Sequence, residues 1–257
     1  MFAASYPEGA HKLRHTLLVH PLLDMDSLTL LAEALEALRP GSVEYHPGDK
    51  QVGTTGRTIR DLDDGNSWAS LRNIGQVPEY AALLRELLGE LEAEIVAKTG
   101  RMIKAQGHIY VASPEAEIAC GSLFEHTILM QLTGEMAVTV FPSGSLICAS
   151  DPGSEAGQIG GWPEILAEHG VSFSLEPGEA AYHPVGTPRQ IRSGAEPSIS
   201  LSLAWRSEWS FAEADARALN ALLRAWGFDP MPPERWPARN RTKSIAWRAL
   251  QRLPGIN

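Results

Sequence analysis

The sequence predicts a mainly β protein with helical flanks, in which a sandwich or barrel of short strands is bracketed by helices at both ends. Three observations predict it. Two stretches of the first hundred residues carry apolar side chains at helical spacing. From about 106 to 209 the chain breaks into short apolar runs separated by Gly- and Pro-containing turns, the texture of strands in a sandwich or barrel. After 210 the helical spacing returns.

Each element follows from its own residues. Asp26-Ser27 can cap a helix that places Leu28, Leu31, Ala34, Leu35 and Leu38 on one face, and Arg39-Pro40-Gly41 ends it. Residues 47–67, rich in Gly, Asp and Thr, read as an extended loop or linker arm. A second helix starts near Pro78, carries Tyr80, Leu83, Leu84, Leu87, Leu88, Leu91 and Ile95, and closes at Gly100. The expected strands are His108–Ser113, Thr127–Leu132, Ala137–Phe141, Val171–Leu175, Glu179–Tyr182, Gln190–Arg192 and Ser198–Trp205. The last, SISLSLAW, alternates polar and apolar residues with the period of a half-buried strand. Leu219, Leu222, Leu223 and Trp226 share a helical face, and a final helix carries Ile245, Ala246, Leu250 and Leu253. We expect one domain over 1–257, with an annex over 1–105, the barrel over 106–209 and C-terminal helices over 210–257.

Composition narrows the function classes. The net charge of −9 repels phosphate backbones, so no nucleic-acid partner is expected. The basic residues Arg235, Arg239, Arg241, Lys243, Arg248 and Arg252 read as a solvated helix face rather than a polyanion site. No apolar run approaches the ~18 residues that span a bilayer, so no membrane partner is expected. The N-terminal residues lack the apolar core of a signal peptide, and Cys120 and Cys148 are the two cysteines, so a cytoplasmic location is expected.

Residues 121–142, GSLFEHTILMQLTGEMAVTVFP, resemble the iron-binding strand pair of jumonji-type cupins, whose pattern is His-x-Asp, an apolar strand ending in Gln, a Gly turn, a Lys and Val-Phe-Pro. Other stretches resemble the same family: GNSWASLRNIGQVPEYAALLRELL its helix entering the barrel, GEAAYHPVGTPRQIRSG its strand with the second metal-binding His, SISLSLAWRSEWS its closing strand, and RALNALLRAWGFDPMPPERWP its C-terminal helices. The resemblance covers nearly the whole chain. It implies a double-stranded β-helix (a jelly-roll, cupin-like barrel) related to Fe(II)/2-oxoglutarate-dependent hydroxylases, and a homodimer formed through the C-terminal helices.

The iron site of such a family needs two imidazoles and one carboxylate on one face, and a Lys for the distal carboxylate of 2-oxoglutarate. Anchored on Glu125-His126 and Val140-Phe141-Pro142, the pattern puts Gly121 at the first His, Leu123 at the carboxylate, Met136 at the Lys and Arg189 at the second His. Gly and Leu carry no ligand atom, Arg repels a cation, and Met forms no ion pair. None of the eight histidines, His11, His15, His20, His46, His108, His126, His169 and His183, is followed two residues later by Asp or Glu, so no shift of register restores the motif.

Glu125, His126, His183 and Arg189 remain as cavity residues for a ligand. Glu125 and His126 are neighbours, so on a strand they point to opposite faces. His126 and His183 can each also be strand residues with a satisfied hydrogen bond. Arg189 either binds a carboxylate or phosphate bidentately or pairs with an acid such as Glu125 and plugs the hole. Cys120 reads as a small buried hydrophobe, the Gly-rich 152–161 as a surface loop, and Trp205, Trp209, Trp226, Trp236 and Trp247 as helix–barrel packing or a dimer face. The sequence therefore predicts a non-catalytic or regulatory protein of hydroxylase descent that binds a partner protein or a small acid, with no metal and no cofactor. The alternative is an Fe(II)/2-oxoglutarate oxygenase acting on a peptide or protein side chain with unorthodox ligands.

Overall fold

A computed structural model describes residues 5–46, 58–60, 62, 66–118, 125–141, 170–233 and 239–252. Helix α1 (Met25–Leu38) starts at Asp24, whose carboxylate accepts the Ser27 backbone N–H at 2.7 Å. The cap thus lies ahead of the Asp26-Ser27 pair expected from sequence. Asp26 sits in the first turn instead, where its charge complements the open N–H groups. Helix α2 (Pro78–Thr99) opens with proline in its first turn and ends at Gly100, whose φ of 76° suits a residue without a Cβ. Both helices bury their apolar faces: Leu28, Leu31, Ala32 and Leu35 from α1, and Tyr80, Leu83, Leu84 and Ile95 from α2.

Eleven strands follow in the described residues: β1 (His11–Arg14), β2 (Val43–His46), β3 (Trp68–Leu71), β4 (Met102–Ala112), β5 (Glu117–Ile118), β6 (His126–Thr133), β7 (Met136–Val140), β8 (Val171–Leu175), β9 (Glu179–His183), β10 (Arg189–Ser193) and β11 (Ser198–Ser207). They form a seven-stranded sheet, β1-β9-β6-β11-β4-β3-β2, and a four-stranded sheet, β5-β10-β7-β8, with antiparallel neighbours throughout. The fold is the expected α+β jelly roll. The segment expected as a helical and extended annex also supplies β1, β2 and β3 to the large sheet. Trp68–Leu71, at the start of the stretch that resembles the family's helix entering the barrel, is a strand, and the helix starts at Pro78, where its spacing predicts.

Two apolar layers explain the burial pattern. The outer layer joins the large sheet to α1 and α2 and includes Ile128, Met130, Leu132, Ile199, Leu201, Leu203 and Trp205. The inner layer lies between the two sheets and includes Trp68, Leu129, Met136, Val138, Val140, Leu175 and Ile191. The large sheet is therefore covered on both faces. SISLSLAW, expected to be half-buried, buries its serines too: Ser198 and Ser200 are fully buried and turn inward, Ser198 beside Gln131 at 2.9 Å and Ser200 beside the Met136 sulfur at 3.8 Å.

Helix α3 (Glu208–Ala225) leaves β11 through a capping box: Ser207 Oγ accepts the Ser210 N–H, and Ser210 Oγ accepts the Ser207 N–H. Helix α4 (Arg239–Leu250) is tied to α3 by Asp215, which accepts from Ser244 at 2.5 Å and Arg248 at 2.7 Å. Of the expected α3 face, Leu219 is buried while Trp226 is exposed, and Ile245 on α4 is exposed. Among the described residues no helix is long and apolar enough to cross a membrane.

Candidate functional site

Strand alternation sorts the site residues. Ile128 and Met130 face the helices, so Thr127 and Leu129 face the other sheet. Glu125, two residues before Thr127, lies on the inner side, where both its carboxylate oxygens accept from the Gln106 amide at 3.1 and 3.2 Å. His126 lies on the outer side. Its Nδ1 is 2.8 Å from the Tyr182 hydroxyl and its Nε2 3.2 Å from the Ser207 hydroxyl. Tyr182 donates to the Pro7 carbonyl, so it accepts from His126 Nδ1–H, and Ser207 donates to Nε2. His126 is therefore a fully buried, satisfied histidine stacked on Trp205, packed away from the barrel interior. The structure does not bring it together with Glu125, His183 and Arg189 as a cavity ligand.

His183 behaves differently. It ends β9, opposite Thr127 on β6, and its side chain is fully buried. Neither ring nitrogen has a hydrogen-bond partner among the described residues. The satisfied hydrogen bond that the sequence left open for it is not made among the described residues. Burial first, then the positive charge of Arg189, hold its pKa well below the ordinary value, so the ring is neutral at pH 7. A neutral imidazole offers one N–H donor and one acceptor to whatever enters.

Arg189 opens β10 on the facing sheet, opposite Val140. Ile191 and Val138 of the same register belong to the inner layer, so Arg189 points the same way. It is 9% exposed. Glu125, the acid expected to plug the hole with it, takes its hydrogen bonds from Gln106 instead. The Glu125 pKa is raised by burial, opposed by the Gln106 bond and by the charges of Arg206, Arg189 and Lys104. Arg206 lies over the Phe211 ring at 3.8 Å. This end of the two sheets thus holds a buried cation, a neutral imidazole whose buried nitrogens have no hydrogen-bond partner among the described residues and, nearby, a carboxylate held by an amide.

Met136, at the expected lysine position, is 1% exposed deep in the inner layer, where a thioether packs without cost and an ammonium would need a partner. Gly121 and Leu123, at the first His and carboxylate positions, lie outside the described residues, as do Cys120 and Cys148. Among the described residues, no three of His, Cys, Asp and Glu come close enough to hold a metal ion. The described residues on their own therefore do not fit the two-imidazole, one-carboxylate face of an iron site.

A separate cavity of about 610 Å³ lies between α1 and β2, lined by Glu33, Glu36, Glu44 and His46 among others. Two of its acids are committed: Glu36 accepts the Gly41 and Val43 N–H groups, and Glu44 pairs with Arg72. Sequence reasoning passed over Gln106, whose role depends on β4 lying beside β11. It also passed over Thr127. The signal for both was present only as inward alternation on strands whose order the sequence does not print.

No family model matches the sequence, and no curated protein does. Solved structures do. The Escherichia coli protein YcfD matches at 18% identity with a TM-score of 0.54, over 96% of this chain and 66% of that one. A structure described as YcfD, a ribosomal oxygenase, in complex with cobalt and 2-oxoglutarate matches at 20% identity and a TM-score of 0.49, over 96% and 64%. One with cobalt and succinic acid matches at 18% and 0.48, over 96% and 64%. This chain spans about two thirds of the length of that protein. The expectation of no cofactor is corrected here: the structures of YcfD are in complex with cobalt and 2-oxoglutarate or succinic acid, which points towards Fe(II) and 2-oxoglutarate rather than towards none. With its two antiparallel sheets and its flanking helices, the chain has a cupin-like, jelly-roll α+β fold, which it shares with YcfD.

Proposed function

We propose that this chain works by binding rather than by hydroxylation: a non-catalytic or regulatory cupin-like protein of oxygenase descent whose barrel mouth takes a small acidic ligand. The observation that carries the reading is Arg189, a nearly buried guanidinium at the mouth with no carboxylate bonded to it among the described residues, facing an imidazole with open nitrogens. A buried cation without a counter-ion is costly, and a carboxylate ligand supplies the missing charge through two parallel N–H···O bonds. His183 adds one neutral donor without adding charge. The same reading makes the protein a cytoplasmic homodimer formed through α3 and α4, whose surroundings expose Trp226, Phe228, Met231 and Ile245.

The test is calorimetric titration with succinate and with 2-oxoglutarate, each with and without Fe(II), on wild type and Arg189→Met. Binding in wild type and a loss of roughly tenfold or more in the variant are expected, the weight of a charge-assisted bond. Iron-dependent turnover of 2-oxoglutarate by the purified protein overturns the reading, as does binding that ignores Arg189→Met.

A second reading, an Fe(II)/2-oxoglutarate-dependent oxygenase with unorthodox ligands, is favoured by His183 alone, since an open neutral imidazole is a metal-ligand type. Anaerobic titration with Fe(II) and 2-oxoglutarate then gives a visible charge-transfer band in wild type that His183→Leu abolishes.

A further inference from the structure

We infer that the acid taken at the barrel mouth carries an ammonium group as well, so that the ligand is an α-amino acid or a like zwitterion, its carboxylate on Arg189 and its ammonium on Glu125. This deepens the reading of Arg189 given above and rests on it.

The two charges come from opposite walls. Glu125 directly precedes β6 of the large sheet. The row of inward positions beside it is set by register: Gln106 of β4 stands opposite Ala204 of β11, Ala204 opposite Thr127 of β6, and Thr127 opposite His183 of β9. Gln106 grips both oxygens of Glu125 from one end of that row, which fixes the carboxylate at the rim. Arg189 belongs to the small sheet, at the mouth end of β10. Each side chain is mostly withdrawn from water, yet they make no hydrogen bond to one another among the described residues. Two other cations act on Glu125, Arg206 and Lys104, and both lie over the Phe211 ring, at 3.8 and 5.5 Å.

Opposite charges held apart across a partly dry mouth match a ligand whose own charges are held apart in the opposite order. Each Glu125 oxygen accepts one bond from Gln106 and keeps lone pairs for an ammonium. His183, on the same row and fully buried with both nitrogens open, has its N–H to offer a carboxylate oxygen. A plain dicarboxylate fares worse. With one end on Arg189, its other end meets Glu125 as a like charge, and like charges brought together in a desolvated site are rejected.

L-Aspartate and succinate share one carbon skeleton and differ by the amino group, as L-glutamate and 2-oxoglutarate differ by amino against oxo. Calorimetry on the full chain with these four probes therefore isolates the ammonium. The expected result is tighter binding of aspartate than succinate, and of glutamate than 2-oxoglutarate, by roughly tenfold or more. Glu125→Gln collapses that preference while succinate still binds. Gln106→Met, which leaves the acid in place but unheld, narrows it. Equal or weaker binding of the amino acids to wild type, with succinate still dependent on Arg189, overturns the zwitterion inference and leaves the acid-binding reading standing. A preference that survives Glu125→Gln overturns the assignment of Glu125. Failure of all four probes to bind overturns both.

Discussion

At His183 two polar atoms are buried and unpaired among the described residues, and each group left without a partner costs about 1–3 kcal/mol. The fold carries that cost unless a ligand relieves it, so the residue trades stability for an open donor. Replacing it by an apolar side chain of like size removes the cost. His183→Leu is expected to raise Tm while weakening succinate binding, and thermal melts run beside the titrations read both. A lower Tm for the variant would mean that His183 is satisfied in the folded protein. The same residue shapes the pH dependence. Burial holds the folded pKa of His183 well below 6.5 and that of His108 at about 4. Across the window from about 4 to 6.5 the unfolded chain binds these protons and the folded chain does not, so stability rises with pH and is lost as pH falls. Urea unfolding at pH 4.5, 5.5 and 6.5 is expected to give a rising free energy, with a shallower slope in His183→Leu. Legibility at this scale was uneven. The residue types at 136 and 189 were plain from the sequence, but whether an inward Arg189 meets Glu125 depends on a competitor, Gln106, that only folding brings near.

At the scale of elements, Ser207 joins the barrel to the C-terminal helices. Its hydroxyl caps α3 by accepting the Ser210 N–H and donates to Nε2 of His126, the buried imidazole that Tyr182 holds from the other side. Ser207→Ala removes both contacts. The cap alone is worth about 1 kcal/mol, and the orphaned acceptor on His126 adds roughly 1–3. A double-mutant cycle with His126→Phe separates the two: the histidine share vanishes in the His126→Phe background and the capping share persists. Full additivity would show that the Ser207–His126 bond carries no energy. The strands themselves were readable because their punctuation was local, at Pro142, Glu176-Pro177-Gly178 and Ser193-Gly194. Their faces were not. Alternation reports which side is dry only when the other side is wet, and the large sheet is dry on both, so the serines of β11 looked solvent-facing and are not. The strands β1, β2 and β3 escaped notice for another reason. Each has four residues, too few for a period to declare itself, and their pairing, β1 to β9, β3 to β4 and β2 to β3, is a long-range fact.

At the scale of the whole molecule, the charge and the exposed apolar residues pull against each other. The chain carries −9, while Trp226, Phe228, Met231 and Ile245 stand 56–69% exposed around α3 and α4. Met231, between the helices, is pinned by its carbonyl, which accepts from both Asn220 and Lys243. Exposed apolar side chains suit association with a second copy. Two copies bring together two like net charges, and screening relieves that repulsion without weakening apolar contact. The homodimer proposed above therefore has a signature that a charge-driven dimer lacks. Its dissociation constant is expected to fall as NaCl rises from 20 to 300 mM, followed by light scattering coupled to size exclusion. Met231→Glu with Ile245→Glu is expected to give a monomer with an unchanged near-ultraviolet signal from the buried Trp205. A dimer that persists in that double variant, or that loosens with salt, places the contact on another face. The helices at the end of the chain would then serve only to close the outer layer of the barrel.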